Sequence, residues 1–281
     1  MDETSLTAIT RNPKSISRYA IGMPRFTDNA ICIRDVDWSE SSQVVVMLTQ
    51  THGKVRGIAK GSRRNSPSAI ARFSGGINLL SQGQAVLTTK PATQLASMTE
   101  WDLQEDYYHL RTNLEAQWFA MYAADLINAM LADEDPHPGA FAALQTLLYE
   151  LSSVENTAQA ILQFQWILLA DVGYQPELEH DAETGSTLPK AKTYSFDPKL
   201  GGLTARGSMN DKRWRVRANT VELLRSVATG QTIDAFNRET ITRANRLLCT
   251  YFRALIDKQL PTMDFVLNQS LQSPSKPRSR P

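Results

Sequence analysis

Five short β-like runs separated by turns fill about sixty residues near the N-terminus and constrain the fold more than any other feature. The runs are Ala30–Asp35, Val44–Thr49, Lys54–Ala59, Gly76–Leu80 and Ala85–Thr89. Short strands at this spacing are typical of a small closed or partly open barrel such as an OB-fold. An SH3-like barrel or a small sandwich would give nearly the same pattern, so the periodicity alone leaves these alternatives open.

A cluster of cations surrounds the third run. It contains Lys54, Arg56, Lys60, Arg63 and Arg64, with glycines at positions 53, 57 and 61 between them. Side chains alternate between the two faces of a strand, so Lys54, Arg56 and Lys60 should share one face. A cationic face backed by small residues suits a phosphate backbone. The alternative is a solvated strand edge on which Lys and Arg prevent aggregation.

The cations continue into a polar loop, Arg63–Ser68, with Arg72 shortly after it. Loops at this position in OB-type barrels often hold single-stranded nucleic acid, although a flexible surface loop would look the same. Only Phe73 and Trp38 offer rings for base stacking, which favours contacts to the nucleic-acid backbone. We predict nucleic-acid contacts by Lys54, Arg56, Lys60, Arg63, Arg64 and Arg72.

Charge is segregated along the chain although the net charge is only +1. Residues 1–90 carry +6, residues 91–190 carry −14 and residues 191–281 carry +9. Two basic segments around an acidic middle indicate localised anion binding rather than an evenly mixed surface.

Several classes of protein are disfavoured by composition. Cys32 and Cys249 are the only cysteines, which excludes a disulfide framework and suits a reducing cytoplasm. No apolar stretch approaches the roughly 20 residues of a membrane-spanning helix, and the N-terminus lacks the apolar core of a secretory signal. Phosphate-loop, zinc-protease and serine-hydrolase motifs are absent from the sequence. We therefore expect binding rather than an enzymatic activity.

The hydrophobic period becomes helical from Glu100 onward. The predicted helices are Asp102–Gln117, Trp118–Leu131, Phe141–Leu151, Ala158–Val172, Val221–Thr229 and Ile241–Leu260. The stretch of about 173–210 has no clear period, which indicates an inserted finger or lid. We predict a disordered tail at 1–25, a barrel at 26–95, a helical domain at 96–265 that contains this insert, and a second disordered tail at 266–281.

Two further groups of arginines lie in the helical half. One surrounds Trp214 and the other recurs at helical spacing along the last long helix. Trp214 could equally be a core anchor, and the helical stripe could be a solvated face. We predict weaker contacts, to DNA or to an acidic peptide, by Arg213, Arg215, Arg217, Arg243 and Arg246.

Two strings near the N-terminus resemble the RecO family of DNA-repair and recombination-mediator proteins. They are Asp37-Trp38-Ser39-Glu40-Ser41-Ser42 and Gly57-Ile58-Ala59-Lys60-Gly61-Ser62-Arg63-Arg64. Further along, Gly173-Tyr174-Gln175-Pro176-Glu177-Leu178 and the later Gly201-Gly202 also match. The resemblance extends over about 30–260 and implies an α+β protein with an N-terminal OB-fold barrel followed by a helical domain with a zinc-finger-like loop.

In many family members four cysteines of this loop bind zinc. The corresponding positions here are Asp181, Thr184, Ala205 and Ser208, so no thiolate remains and we expect no zinc and no other cofactor. The resemblance also implies binding of single- and double-stranded DNA, annealing of complementary strands and partnership with RecR. It implies contact with the acidic C-terminal tail of single-stranded-DNA-binding protein, and a cytoplasmic, nucleoid-associated location. An RNA-binding OB-fold and a protein-only scaffold are the alternatives.

Overall fold

The N-terminal part of the protein is a closed five-stranded barrel. The structure, a computed structural model, describes residues 25–89, 95–153, 157–205 and 214–268. The strands are β1 Arg25–Ser39, β2 Ser42–Thr49, β3 Gly53–Ala59, β4 Gln82–Thr88 and β5 Ala96–Glu105. They pair in the order β1-β2-β3-β5-β4, and β4 closes the barrel on β1. With helix α1, Pro67–Phe73, between β3 and β4, this arrangement confirms the predicted OB-fold.

Two segments of the barrel differ from the prediction. Gly76–Leu80 is irregular rather than a strand, because Gly76 and Leu80 both adopt positive φ angles that a strand does not allow. The fifth strand lies instead at Ala96–Glu105, beyond the predicted domain boundary, where it pairs with β4. The prediction of one helix over Asp102–Gln117 is therefore wrong, since pairing in the barrel overrides the helical spacing of its first residues.

Strand β2 and the middle of β1 are buried on both faces. Ala30, Cys32, Val45 and Met47 line the inside of the barrel. Ile31, Ile33, Val46 and Leu48 point outward and join the core of the helical domain. This explains why β2 is a nearly continuous apolar run, which is the pattern of a strand covered on both sides. The barrel therefore rests on the helices through its β1–β2 face.

The helical domain contains seven helices among the described residues. They are α2 His109–Thr112, α3 Leu114–Met130, α4 Pro138–Glu150, α5 Thr157–Asp171, α6 Ala218–Ala228, α7 Arg238–Ile256 and α8 Met263–Leu267. Asparagines cap two of the longer helices, because the Asn113 and Asn237 side chains accept hydrogen bonds from backbone N–H groups of α3 and α7.

A buried chain of amides fixes how the three central helices meet. The Tyr122 hydroxyl donates to Gln165 Oε1 at 2.9 Å. Gln165 Nε2 donates to Asn245 Oδ1 at 2.7 Å, and Asn245 Nδ2 donates to the Ala158 carbonyl at 2.8 Å. Because each buried polar group is satisfied, the network specifies one arrangement of α3, α5 and α7.

The described part of the insert predicted at about 173–210 belongs to a small finger, which also includes a strand beyond residue 210. Its sheet has the order β7-β6-β8, with β6 Thr193–Asp197, β7 Gly202–Thr204 and β8 Trp214–Arg217. Strand β8 leads directly into α6. No described helix has both the length and the apolar character needed to cross a membrane.

The boundaries of the two predicted tails shift slightly. Strand β1 already begins at Arg25, and α8 ends at Leu267 with Val266 fully buried. The remainder of each predicted tail lies outside the described residues.

Candidate nucleic-acid interface

The cations of β3 alternate with core residues as predicted, but they lie in different environments. Lys54 is only 3% exposed. Its Nζ donates to the Asn128 carbonyl of α3 at 2.8 Å and lies 3.2 Å from Asp133 Oδ1. The amine therefore joins the barrel to the helical domain, and it is not on a surface that DNA could reach.

Arg56, the next cation on that face, uses the same carboxylate. Its Nε donates to Asp133 Oδ2 at 2.8 Å, although half of the side chain stays exposed. The backbone after α3 also meets the start of β3, where the Glu134 N–H donates to the Lys54 carbonyl at 2.9 Å. Gly53 lies so close to this segment that a Cβ there would fall 2.2 Å from the Asp135 carbonyl oxygen.

Arg63 is engaged by the β1–β2 hairpin. Its Nε lies 2.7 Å from Asp37 Oδ1, and its guanidinium is 3.8 Å from Asp35. Burial raises the pKa of Asp35; Arg63 offsets part of that rise, and repulsion from Asp37 adds to it. Arg63 therefore ties the loop after β3 to the hairpin, and much of its charge is neutralised.

The other three predicted barrel cations meet in one shallow depression. Lys60, Arg64 and Arg72 are exposed, and none forms an ion pair with a carboxylate within the described ranges. The depression has a volume of about 320 Å³ and is lined by Trp38, Ser39, Ser42, Ile58, Lys60, Gly61, Arg64 and Arg72. An uncompensated triad of cations around a concave surface can accept a phosphate backbone.

A fully buried glutamine holds the walls of this depression together. Gln43 in β2 accepts from the Ser62 hydroxyl at 2.9 Å and from the Ile77 N–H at 3.2 Å. It also donates to the Ile77 carbonyl at 2.8 Å. The loop that carries Arg64 and the segment after α1 are therefore fixed to the barrel wall, which limits the entropy lost when a ligand binds.

Phe73 and Trp38, the two rings that the sequence offers for base stacking, differ in how exposed they are. Phe73 is 1% exposed in the barrel core, although the Arg72 guanidinium lies 5.2 Å from its ring centroid. Trp38 is 67% exposed at the rim of the depression. Of the two rings that the sequence offered for stacking, only Trp38 is accessible.

The arginines of the helical half converge on a second groove of about 270 Å³ between β8, α6 and α7. It is lined by Trp214, Arg215, Val216, Arg217, Thr220, Arg243, Arg246, Leu247 and Thr250. The spacing of Arg243 and Arg246 on α7 does place them beside the arginines of β8. Arg213, which was also predicted, lies outside the described residues.

This groove is more strongly compensated than the barrel depression. Glu239 pairs with Arg243 and lies 3.8 Å from Arg217. Arg243 also donates to the Thr240 hydroxyl at 2.8 Å. Trp214 stacks on Phe196 with ring centroids 5.6 Å apart, so the interpretation of Trp214 as an anchor of the finger is supported.

The residues at the positions of the family's zinc ligands do not suit zinc. Asp181 is 4% exposed, and its Oδ1 accepts from the Glu183 and Thr184 N–H groups at 2.9 and 3.2 Å. Its Oδ2 accepts from the Ala205 N–H at 2.8 Å. Structural zinc takes four nitrogen or sulfur ligands, whereas this carboxylate is already occupied by backbone donors and Thr184 and Ala205 offer neither. Ser208 lies outside the described residues.

Asp133 and Gln43 decide the shape of the barrel surface, and the sequence analysis identified neither. Asp133 belongs to an acidic loop 77 positions after Arg56, and nothing local links the two. Gln43 directly precedes the apolar run of β2, and a polar residue in a buried strand needs hydrogen-bond partners, which is the one signal of its network.

Comparison with known proteins agrees with this architecture. The family model of the recombination protein O N-terminal domain matches residues 23–107, and that of its C-terminal domain matches residues 111–264. The DNA repair protein RecO of Myxococcus xanthus is 26% identical over 252 residues, which is 89% of this chain and 100% of the relative. The RecO protein of Acetivibrio thermocellus is 23% identical over 85% of this chain and 94% of its own length. The matched C-terminal model alone covers more than half of the chain, and the chain therefore belongs to the RecO family of DNA repair and recombination proteins.

Proposed function

We propose that this protein is a non-catalytic recombination mediator that binds single- and double-stranded DNA across the barrel depression. The supporting observation is the triad Lys60, Arg64 and Arg72, whose charges no described carboxylate compensates. Three fixed cations neutralise successive phosphates and release their counterions, and this drives binding that is insensitive to sequence. Two strands held on such a surface repel each other less, which would let complementary strands anneal.

The test is fluorescence anisotropy with labelled DNA of about 30 nucleotides, single- and double-stranded, over a salt series. We expect micromolar or tighter binding with a steep negative dependence on salt, and a loss of at least about tenfold in the variant K60E/R64E/R72E. Competition with RNA of equal length separates a DNA mediator from an RNA-binding OB-fold.

A matched control reverses three exposed lysines outside the depression. Lys190, Lys192 and Lys199 lie in or beside the finger, and K190E/K192E/K199E changes the net charge by the same amount. If both triple variants lose affinity equally, binding depends on overall charge and the depression is not the site. If the unmodified protein fails to bind DNA at low salt, the scaffold alternative takes its place.

The groove of the helical domain suits a different ligand, and we assign it to the acidic C-terminal tail of single-stranded-DNA-binding protein. Arg215 and Arg246 are exposed beside the apolar Leu247 and Val216, so the groove combines positive charge with an apolar floor. A labelled synthetic peptide of that tail should bind, and R215E/R246E should weaken it at least tenfold while leaving DNA binding at the barrel intact. K190E/K192E is the charge-matched control.

Partnership with RecR and loading of recombinase are proposed from family membership. Their test is recombinase assembly on single-stranded DNA coated with its binding protein, with and without RecR. We expect stimulation that requires RecR and that K60E/R64E/R72E abolishes. Stimulation by the triple variant equal to that by the unmodified protein would separate the loading activity from the depression.

A further inference from the structure

Trp38 differs from the other four tryptophans of the chain, all of which lie within the described ranges. Trp101 and Trp166 are buried, Trp118 stacks on Phe265, and Trp214 stacks on Phe196. Trp38 is 67% exposed and has no described aromatic ring against it. Trp38 therefore adds its ring to the surface of the depression and not to a core.

A β-bulge sets the direction of this side chain. Asp37 pairs with Gln43, and Ser39 pairs with Ser42, so Trp38 is an extra residue with no partner on β2. Bulges re-aim side chains and are common next to functional sites. The regular ladder is interrupted at the residue whose ring reaches the rim of the depression.

The hairpin tip that carries Trp38 is pinned to the loop that carries the cations. The Arg63 guanidinium pairs with Asp37, and the Arg63 backbone N–H donates to the Ser41 carbonyl at 3.2 Å. The Gly61 N–H donates to Ser42 Oγ at 3.2 Å. The indole and the guanidinium of Arg64 therefore lie in one preorganised surface instead of on two independent loops.

We propose that Trp38 is a base-stacking platform that gives the depression a preference for single-stranded over double-stranded DNA, an inference that rests on the proposed DNA-binding function. Lys60, Arg64 and Arg72 attract the phosphates of either form. An unpaired base can rotate onto the indole, whereas the bases of a duplex are already stacked inside it. The indole thus contributes only when the bound strand has free bases.

The test measures W38A and W38F against three labelled DNAs of about 30 units: oligo-dT, the same backbone without bases, and a duplex. Alanine substitution of a ring that stacks on one base typically weakens binding by about 5- to 150-fold, and we expect a loss in this range for oligo-dT. Affinities for the abasic strand and the duplex should change less than about twofold. W38F should retain most of the oligo-dT affinity, because a phenyl ring also stacks.

A second readout is intrinsic fluorescence. Oligo-dT should quench the unmodified protein, and the quench should shrink strongly in W38F although binding persists. The control is Tyr149→Ala, which removes another exposed aromatic ring, 74% exposed on α4, and should leave all three affinities unchanged.

The outcomes separate this proposal from the function beneath it. If the unmodified protein binds none of the DNAs, the proposed function itself fails. If it binds and W38A weakens oligo-dT and duplex by the same factor, or weakens neither, the stacking role is overturned. An unchanged oligo-dT affinity together with lost binding of RecR would assign the exposed indole to a protein contact instead.

Discussion

The two ends of β3 carry the same kinds of cationic residue, yet they differ in what surrounds them. At the first end, Lys54 and Arg56 share the carboxylate of Asp133 and join the barrel to α3. At the other end, Lys60 and the following Arg64 face solvent beside Trp38, and no described carboxylate pairs with them. One end holds the molecule together, and the other is free to receive a ligand.

The difference shows that a cation is available to a polyanion only where the fold brings no acid to it. The acidic middle of the chain does not neutralise all of the cations on the barrel. Its Asp133 pairs with the cations at one end of β3, and the cations at the other end have no described carboxylate partner. The groove of the helical domain is intermediate in how far its charge is neutralised. Glu239 pairs with Arg217 and Arg243, whereas Arg215 is exposed beside apolar residues. The two basic surfaces should therefore respond differently to substitution.

The largest effect that we expect comes from Lys54→Ala. The substitution leaves the Asn128 carbonyl and the Asp133 carboxylate without their buried amine, and such losses cost about 3 kcal/mol of unfolding free energy. The matched change Arg56→Ala removes an exposed ion pair and should cost less than about 1 kcal/mol. Urea unfolding of both variants measures the difference.

DNA affinity of the folded Lys54→Ala protein should stay within about twofold of the unmodified value, because this end of β3 does not face the depression. A mild stability loss equal to that of Arg56→Ala, or a large loss of DNA affinity in fully folded protein, would contradict the division of β3 into two ends.

The barrel was largely predictable from the sequence, and the assignment of its cations was not. The β-branched apolar run of β2, the alternation along β3 and the turn glycines specify strands, since local sterics and short-range patterns suffice for that. The fate of Lys54 depends on Asp133, which no local pattern connects to it. The sequence favours a helix over Asp102–Glu105 because the apolar spacing of so short a stretch fits either period, and only the pairing with β4 decides for a strand.

Asp181→Ala tests whether the two basic surfaces are supported independently. Gln43 fixes the walls of the barrel depression, whereas the finger is stabilised by the Asp181 carboxylate, which accepts from three backbone N–H groups. Removing it should cost about 2 kcal/mol of unfolding free energy and loosen the finger that presents Trp214 and Arg215.

We therefore expect Asp181→Ala to weaken binding of the acidic peptide several-fold and to leave DNA binding unchanged. The control Glu222→Ala removes an exposed carboxylate of α6. Thermal unfolding together with both binding assays checks this, and equal weakening of DNA and peptide binding would show that the two surfaces are not independent.

Single replacements test which cations around the depression contact a phosphate. Each of Lys60→Ala, Arg64→Ala and Arg72→Ala should lower the magnitude of the salt slope for single-stranded DNA by about 0.7, as expected for the loss of one phosphate contact. Arg63→Ala should weaken binding by about two- to fivefold with little change in the salt slope, because Arg63 positions the hairpin and does not itself contact a phosphate. A loss of about 0.7 in the salt slope for Arg63→Ala would instead place its guanidinium on a DNA phosphate.

The smallest effect concerns acid pH at the first end of β3. Asp28 is 7% exposed and its Oδ2 accepts from the Thr51 hydroxyl at 2.8 Å and from the His52 N–H at 3.1 Å, with the His52 ring 2.7 Å away. Burial opposes ionisation of Asp28, but these hydrogen bonds from His52 and Thr51 outweigh it and leave its pKa below the usual value.

A carboxyl whose pKa is lower in the folded than in the unfolded protein contributes stability above about pH 4, and this contribution is lost as the pH falls further. In Asp28→Asn the unfolding free energy should therefore be lower at neutral pH and fall less steeply below about pH 4 than in the unmodified protein, as urea titrations over the acid range can measure. Equal acid slopes in the two proteins would mean that the turn between β2 and β3 gains nothing from the charge on Asp28.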